Sequence, residues 1–366
     1  MKKRRAAKNA SPLLSVLIVV FCLLVFFGSL YLESQPAHAP AESAGLSAAD
    51  GSLEVHFLDI GQGDSALLFC GEETMLIDGG KVKNNQKLIA RLKELEVDHL
   101  DAVICSHPDE DHCGGLSAVL ASTRTDAFYC SVDSWHTKVF SDVTKYVAEQ
   151  GISVTIPQAG DTFAFSDASV EFLGPVVDYG DDPNEGSLVA RVRYGETSFL
   201  FTGDMGFEAE DDMLAAGVDV SATVLKVAHH GSAGSSSTEF LQAVHPQYAV
   251  ISVGADNDYG HPTEAALNRL SACGIPVYRT DLLGEIIAVS DGKTVTITSA
   301  SNEAPPASDA ASQTAGSYGY VGNSSSKVVH LASCGKLPGE SNRVYFASLD
   351  EALAAGYRKH ANCLGN

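Results

Sequence analysis

The sequence predicts an α/β (or α+β) protein in which two β-sheets pack face to face and helices cover their outer sides. Two observations carry this prediction. About fifteen strand-like runs and roughly five or six helical segments alternate between residues 52 and 298, and such alternation favours stacked layers. The apolar content of 45% is enough to fill a core between those layers.

The predicted strands are short apolar or alternating runs, as expected of strands that are buried on one or both faces. In the first run, Leu53, Val55 and Phe57 alternate onto one face. In chain order the runs are LEVHFLDI, SALLF, TMLID, LDAVICS, DAFYCS, ISVTI, DTFAF, SVEFLG, SLVARVRY, TSFLFTGD, ATVLKVA, YAVISVG, PVYRT, EIIAVS and TVTITSA.

The predicted helices are recognised by apolar residues on one face. NQKLIARLKELEV places leucines at positions i, i+4 and i+7, and TEAALNRLSACG is a second helix that Gly274 ends. We expect Gly114 and Gly115 to let the chain turn tightly into a further helix beginning at Leu116. SDGKT, near the end of the body, predicts a hairpin turn.

The N-terminal segment 1–32 is predicted to be a membrane anchor or a signal peptide. A basic stretch, MKKRRAAKN, precedes a run of residues 13–32 that carries no charge and is long enough to cross a bilayer as a helix. AHA at 37–39 resembles a signal-peptidase site, and the alternative to both is a buried core helix. Either membrane interpretation exports the rest, to the extracellular face of the membrane or as a secreted protein.

Two tracts rich in Ala, Ser and Pro divide the remainder into parts. We interpret 33–51 and 299–317 as linkers, 52–298 as the main domain and 318–366 as a small C-terminal module.

The charge of the chain is strongly negative, at −22. Five of the 24 basic residues lie in the first eleven positions, so the rest carries 19 basic residues against all 46 acidic ones. Such a surface repels nucleic acid at long range, and a polyanionic substrate would require metal ions or a local basic patch.

The stretch SHPDEDHCGG follows an apolar strand and concentrates metal-ligand residue types. His107, Asp109, Asp111 and His112 fall within six residues, where the strand ends. Imidazole and carboxylate donors together suit zinc or manganese. Burying so many polar groups without partners is costly, and one metal centre would satisfy all of them. The alternative is a solvated acidic turn.

Two further strand ends deliver residues of the same kind. SFLFTGD ends in Asp204, and VLKVAHHGS ends in His229 and His230. Convergence of three distant strand ends makes a metal centre the better interpretation.

With these motifs the chain resembles the ComEC/Rec2-like competence branch of the metallo-β-lactamase fold superfamily. FLDIGQGDSALL, LIDGG, SHPDEDH, NEGSLVARV, FLFTGD, KVAHHGS and YGHPT occur in the order of that branch, over about residues 53–290. The resemblance implies a four-layer αββα sandwich with two divalent metal ions, zinc or manganese, at one sheet edge. It implies that a metal-bridging hydroxide attacks the substrate. It assigns the first metal to His107 and Asp109, the second to Asp111, His112 and His229, and the bridging position to Asp204.

The chain departs from the typical superfamily pattern at two places. Asp109 stands where most members have histidine, and a third histidine is missing between SHPDEDH and TGD, near Asn184 and Ser187. Either His229 or His230 is the ligand; we expect His229, with His230 as a catalytic residue near the cleft.

Other residues receive expected roles from the resemblance and from their positions. We expect Asp111 to orient the hydroxide and His261, in YGHPT, to donate a proton to the leaving oxygen, although a loop histidine that shapes the turn is an equal alternative. We expect Asp78 to hydrogen-bond a metal ligand and Asp64 to be structural or to support the ligands. We expect Lys226 to face solvent, with contact to a substrate phosphate as the alternative.

The C-terminal module carries a second metal-ligand pattern. His330, Cys334, His360 and Cys363 match the spacing of a structural zinc site, and the segment resembles the small Ada-type zinc-binding module with histidine in place of one cysteine. The alternatives are a disulfide between Cys334 and Cys363 or a zinc knob without a ligand. The module has five basic residues against three acidic ones, which suits contact with DNA or another anionic polymer.

These observations predict an exported dinuclear-metal hydrolase, a phosphodiesterase or nuclease that acts on extracellular DNA. No nucleotide cofactor is expected. The alternatives are hydrolysis of another extracellular ester, such as a cell-wall phosphodiester or a lactone, and a non-catalytic metal-dependent DNA-binding module.

Overall fold

The ends of the strands position the candidate site. The computed structural model describes residues 51–255, 257–301, 320–331, 334, 336–339, 342–346 and 349–364. Its strands are β1 (Leu53–Phe57), β2 (Ala66–Cys70), β3 (Glu73–Ile77), β4 (His99–Cys105), β5 (Arg124–Cys130), β6 (Val154–Thr155), β7 (Thr162–Phe165), β8 (Ala168–Gly174), β9 (Val189–Tyr194), β10 (Thr197–Phe201), β11 (Val224–Lys226), β12 (Tyr248–Ile251), β13 (Val277–Arg279), β14 (Ile286–Ser290), β15 (Val295–Ser299), β16 (Tyr320–Asn323), β17 (Val328–Leu331), β18 (Arg343–Phe346) and β19 (Arg358–Lys359).

The helices lie between the strands. They are α1 (Asn85–Glu94), α2 (Glu110–Cys113), α3 (Leu116–Ser122), α4 (Lys138–Glu149), α5 (Phe207–Ala215), α6 (Thr238–Val244), α7 (Glu264–Ala272), α8 (Thr280–Leu283), α9 (Leu349–Ala354) and α10 (Ala361–Leu364), with 3-10 turns at Val82–Asn84 and Ala228–Gly231. The predicted anchor or signal segment 1–32 and nearly all of the two predicted linkers lie outside the described residues. Within the described ranges, no helix is long and apolar enough to cross a membrane.

Two sheets form the body. An eight-stranded sheet has the order β15-β14-β1-β2-β3-β4-β5-β6, and a seven-stranded sheet has the order β13-β12-β11-β10-β9-β8-β7. Each of the fifteen predicted runs overlaps one of these strands, so the predicted strand pattern is confirmed. SDGKT joins β14 to β15 as an antiparallel hairpin, also as predicted.

Three apolar clusters show that the body has four layers. Inward-facing side chains of both sheets, including Val55, Phe57 and Phe201, form the cluster between the sheets. On the outer face of the first sheet, Leu76 and other apolar residues pack against α1, α3 and α4. On the outer face of the second sheet, Leu225 and its neighbours pack against α5, α6 and α7. The predicted helix–sheet–sheet–helix sandwich is therefore confirmed.

The two glycines before α3 serve a different purpose from the one predicted. The helix begins at Leu116 as expected, but φ is −59° at Gly114 and −77° at Gly115, values that any residue adopts. A Cβ atom on Gly115 would lie 2.1 Å from the carbonyl oxygen of Gly79, and the amide of Gly79 donates to the carbonyl of His112 at 2.7 Å. Glycine is needed because the loops after β3 and β4 touch backbone to backbone.

Parallel pairing brings several strand ends to one edge. β3 pairs in parallel with β4, and β10, β11 and β12 pair in parallel with one another. The loops at the carboxyl ends of parallel strands lie on the same side of a sheet, where α/β proteins bind ligands. The segments that follow these strands are the ones that carry the candidate residues.

The C-terminal module forms a separate small sheet. Its strands have the order β18-β16-β17-β19, and Val329, Val344 and Phe346 contribute to an apolar core beneath α9. Thr238 at the start of α6 donates a hydrogen bond from Oγ1 to the Tyr345 hydroxyl at 3.2 Å. This contact ties the module to the outer helix layer of the second sheet.

A buried ionic network joins β1 to α1 and to the residue before β14. His56 is fully buried, and its Nδ1 and Nε2 lie 2.6 Å from carboxylate oxygens of Glu285 and Glu54. Arg91 also donates to Glu285, at 2.7 Å from Nε. Burial alone would lower the pKa of His56, but the hydrogen bonds to Glu285 and Glu54 outweigh it and raise the pKa. The network therefore favours the cationic form of the imidazole.

This network predicts a pH dependence of stability. Because the pKa of His56 is raised in the folded state, its contribution is fully present below the unfolded value of 6.5 and is lost as pH rises through the folded value. A tenfold gain in proton affinity on folding adds about 1.4 kcal/mol to the free energy of unfolding. We expect urea unfolding at successive pH values from 6.5 upward to show this decline in the wild type and a flatter profile in His56→Gln. The exposed control His136→Gln should keep the wild-type slope; a wild-type slope in His56→Gln would contradict the assignment.

Candidate metal centres

The candidate residues of the body meet at the edge where the two sheets present their strand ends. The loop after β1 supplies Asp64, and the residue after β3 is Asp78. The remaining residues follow β4, β10, β11 and β12; they are His107, Asp109, Asp111, His112, Asp204, His229, His230 and His261.

Two buried histidines have their Nδ1 atoms fixed by hydrogen bonds. Nδ1 of His112 lies 2.8 Å from Oδ2 of Asp78, and Nδ1 of His230 lies 2.9 Å from the carbonyl oxygen of Ser252. Because an oxygen acceptor holds the Nδ1 proton, Nε2 is the nitrogen of each ring that can bind a metal ion in exchange for its proton. This is the tautomer in which histidine binds metals.

The third buried histidine is held by a serine that the sequence analysis overlooked. Ser106 donates from Oγ to Asp78 at 2.7 Å and lies 3.0 Å from Nδ1 of His107. Its amide also donates to Asp78, at 2.7 Å. Ser106 stands directly before His107 in the chain, and this adjacency to the motif was the available signal. Asp78 therefore positions two histidines, one directly and one through Ser106, as expected of a residue that supports ligands.

The opposite ring nitrogens of these histidines are buried and unsatisfied. His112 Nε2 lies 3.0 Å from Asp204 Oδ1 without hydrogen-bond alignment, and His230 Nε2 lies 3.6 Å from Asp204 Oδ2. Leaving buried polar atoms unpaired is costly. The buried atoms without a hydrogen-bond partner among the described residues include His107 Nε2, His112 Nε2, His230 Nε2 and Asp204 Oδ1. Imidazole nitrogens and carboxylate oxygens turned toward one another fit a divalent cation.

Asp64 belongs to the same cluster but lies near the Nδ1 atoms of the histidines, not near their Nε2 atoms. One ligand atom from each of Asp64, His112, Asp204 and His230 lies within 4.8 Å of the others. However, Asp64 contacts Nδ1 of His230 at 3.1 Å and Nδ1 of His112 at 3.9 Å, on the sides of the rings that face away from Asp204. This position suits support of the ligands better than direct binding.

Lys226 is buried, so the expectation that it faces solvent is wrong. Its Nζ lies 2.6 Å from Asp64 Oδ2 and donates to the carbonyl of Val227 at 2.7 Å. Burial alone would raise the pKa of Asp64, but the charge of Lys226 and the neighbouring histidines lower it. β11 is covered on both faces, and a lysine on such a strand must find a partner.

The structure places His230, rather than His229, among the buried nitrogens. His230 is 1% exposed, whereas the side chain of His229 is 31% exposed. Even so, Nε2 of His229 lies 3.7 Å from Asp204 Oδ2. Both residues have left-handed backbone, with φ of 50° and 53°, a strained conformation that proteins retain mainly at functional sites. The turn lets two consecutive imidazoles face one carboxylate.

Two carboxylates occupy the rim of the centre. Asp111 Oδ2 lies 3.7 Å from His230 Nε2, and Asp109 Oδ2 lies 4.0 Å from His107 Nε2. Their side chains are 21% and 40% exposed. Ser187, near the position of the missing third histidine, accepts the amide of Asp204 at 3.1 Å.

The electrostatics of the centre favour added positive charge. Burial alone would lower the pKa of His112, but Asp204, Asp78 and Asp64 raise it well above its usual value. Burial alone would also lower the pKa of His230, but Asp204 and Asp64 raise it to about 9. The neighbouring carboxylates thus raise the pKa of both rings despite burial. A bound cation would neutralise the negative charge of these carboxylates.

His261 lies at the open side of the centre. Its ring centroid is 5.6 Å from that of His229, and its Nδ1 is buried without a hydrogen-bond partner among the described residues. Burial and then the charge of His230 lower the pKa of His261 to about 4. Its expected part in proton transfer stays a prediction.

The C-terminal module brings its own four candidate ligands together. One ligand atom from each of His330, Cys334, His360 and Cys363 lies within 4.8 Å of the others. His330 is on β17 and His360 follows β19, two strands that pair in parallel, and the rings lie 4.0 Å apart. All cysteines within the described residues are free thiols, so the alternative disulfide is not formed in this structure.

Comparison with known proteins gives one family. The sequence model of the Metallo-beta-lactamase superfamily matches residues 58–255. The chain is similar to the ComE operon protein 3 of Bacillus subtilis, with 31% identity over 251 residues, which make up 64% of this chain and 32% of that protein. It is also similar to the competence protein ComA of Neisseria gonorrhoeae, with 36% identity over 62% of this chain and 31% of that protein.

The chain is also similar to a third curated protein and to a solved structure. Recombination protein 2 of Haemophilus influenzae is 30% identical over 64% of this chain and 28% of its own length. The aligned region thus spans about a third of the curated relatives it matches. Among solved structures, the metallo-beta-lactamase fold protein YhfI of Bacillus subtilis has a TM-score of 0.46 and 13% identity, over 66% of this chain and 100% of that chain.

The different burial of the two neighbouring histidines predicts which one binds the cation. We expect His230→Ala to lose a bound cation, because its Nε2 faces Asp204 and Asp111 inside the centre, and His229→Ala to retain it with weakened affinity. The measurement is elemental analysis of the full chain after equilibration with manganese or zinc and dialysis. Loss of the cation in His229→Ala together with retention in His230→Ala would reverse the assignment.

Proposed function

Because the chain belongs to the metallo-beta-lactamase superfamily, whose members are generally metal-dependent hydrolases, we propose that it is a dinuclear-metal phosphodiesterase that cleaves DNA outside the cell. The observation that carries the proposal is the set of three buried histidines whose Nδ1 atoms are fixed and whose Nε2 atoms are left unpaired. Two relatives, one named a competence protein and one a recombination protein, support DNA as the substrate. The basic and apolar N-terminal segment supports export.

The proposed ligands follow from which atoms face the centre. The two carboxylate oxygens of Asp204 face His112 and His230, so Asp204 would contact the cation held by these histidines. Its proposed contact with the other cation follows from the resemblance to the family. His107 with Asp109 would hold one cation, and Asp111 with His112 and His230 the other. When bound, two divalent cations supply Lewis acidity that lowers the pKa of water and neutralises charge on the phosphoryl group.

The chain's own residues prepare the site for this chemistry. Asp78 fixes the orientation of His112 and Ser106 that of His107, so that these ligand atoms need no rearrangement when substrate arrives. Asp111 lies at the rim, where its carboxylate is proposed to accept a hydrogen bond from the attacking water and orient it. His261 stands on the open side, and its pKa of about 4 leaves it neutral near pH 7 in the free protein. We propose that the negative charge of a bound phosphodiester raises this pKa, so that His261 can pass a proton to the leaving oxygen.

Cleavage of DNA by the full chain tests the proposal. We expect labelled single- or double-stranded DNA to be cut in the presence of manganese or zinc, and the activity to vanish with a chelator. Asp111→Ala should lower the rate by about 10²-fold or more, because it removes a rim carboxylate that positions water. The exposed acidic control Asp133→Ala should keep wild-type activity. DNA binding without cleavage under any metal would support a binding module instead, and cleavage confined to a small chromogenic ester would support another ester substrate.

We also propose that the C-terminal module holds one structural zinc ion between its two histidines and two cysteines. Cys334→Ser should remove one zinc ion from the full chain and lower the thermal stability of the module, while the metal content of the body is unchanged. Elemental analysis measures the first effect, and Cys273→Ser is the matched control. If thiol titration of the denatured chain found Cys334 and Cys363 oxidised, a disulfide would replace the zinc proposal.

A further inference from the structure

A tyrosine stands beside the metal centre with most of its side chain in solvent. Tyr259 is 59% exposed, more than any other large apolar side chain in the described part of the protein. A single exposed apolar residue is ordinary on a protein surface. Here the position matters, because the ring stacks on His261 with centroids 5.7 Å apart and an interplanar angle of 25°, and His261 borders the centre.

The loop that carries this tyrosine is held in place by one asparagine. Asn257 Oδ1 accepts the amides of Tyr259 and His261, at 3.2 and 2.9 Å. Its Nδ2 donates to the carbonyls of Gly254 and His261, at 2.9 and 2.6 Å. The ring is therefore presented by a bonded loop, and binding a flat group on it costs little ordering of the backbone.

A lysine lies between this tyrosine and the centre. Lys81 follows LIDGG, and its Nζ is 3.3 Å from Tyr259 Oη, 5.0 Å from the ring centroid and 3.9 Å from Asp111 Oδ2. The first two distances place the ammonium at the hydroxyl edge of the ring, so it does not cover the ring face. Lys226 is buried against Asp64, whereas Lys81 stands at the rim beside Asp111, with 17% of its side chain exposed.

We propose that Lys81 and Tyr259 form a nucleotide-binding lip, in which the tyrosine stacks on an unpaired base and the lysine binds the neighbouring phosphate. This inference rests on the proposed function and specifies its substrate as single-stranded nucleic acid or a frayed end. Every base has a flat face, so stacking on an aromatic ring tolerates any sequence. The bases of an intact duplex stack on one another and are not available to the ring. A local cation also offsets the repulsion between an acidic protein and a phosphate chain.

Binding measurements on the full chain separate the two halves of the lip. Fluorescence anisotropy would use a labelled single-stranded phosphorothioate oligonucleotide, which resists hydrolysis, and an abasic oligonucleotide with the same backbone. We expect Tyr259→Leu to weaken binding of the base-bearing strand about tenfold and to leave the abasic strand nearly unchanged. Tyr259→Phe keeps the ring and should bind like the wild type. Lys81→Gln should weaken both strands equally and reduce the slope of log affinity against log salt by about one.

The matched controls and outcomes keep the two proposals distinct. Lys138→Gln, a charge removal at an 84% exposed position on α4, should leave both affinities unchanged. Equal weakening of both strands by Tyr259→Leu, or no weakening, overturns the lip even when the wild type cleaves DNA. A wild type that neither binds nor cleaves DNA overturns the proposed function as well.

Discussion

The hydrogen bond between His112 Nδ1 and Asp78 is the interaction on which the centre depends. It spans the loops after two parallel strands, and the same carboxylate accepts from Ser106, which in turn fixes His107. Backbone contact between Gly79 and Gly115 lets these loops approach closely enough for the bond to form. The close packing of the loops and the hydrogen bonds to Nδ1 have the same result: Nε2 of His112 and of His230 is buried and faces Asp204.

The fold could be predicted because strand burial leaves a local signal. Each strand of the two large sheets is a short apolar or alternating run, and the longer helices show an apolar face in the sequence. The four-residue helices α2 and α8 were not predicted, since one helical turn carries too little periodicity to recognise. The reason why residue 115 must be glycine could not be predicted from the neighbouring sequence either. The atom that leaves no room for a side chain is the carbonyl oxygen of Gly79, which is far away in sequence.

The location of the site could be predicted, but its inner arrangement could not. Ligand-type residues at the ends of strands indicate a common edge once parallel pairing is assumed. Which of His229 and His230 is buried could not be predicted. Both residues have left-handed backbone and so depart from strand geometry, and the alternation of a strand no longer tells which ring turns inward. Lys226 was misjudged for a related reason: its polarity suggested solvent, whereas the sheet is covered on both sides and Asp64 supplies the partner.

The excess of carboxylates at the centre bears on how an acidic protein can act on a polyanion. Acidic side chains still outnumber basic ones there. They are Asp64, Asp78, Asp109, Asp111 and Asp204, against Lys81, Lys226 and the two histidines with raised pKa values, His112 and His230. Without further cations this edge would repel a phosphate chain, in keeping with the overall charge of −22. Bound divalent ions are the largest local charges in such a site and would reverse its sign. In the proposed function, affinity for an anionic substrate would then be coupled to metal occupancy, because the carboxylates proposed to bind the metal would repel phosphate until the metal is present.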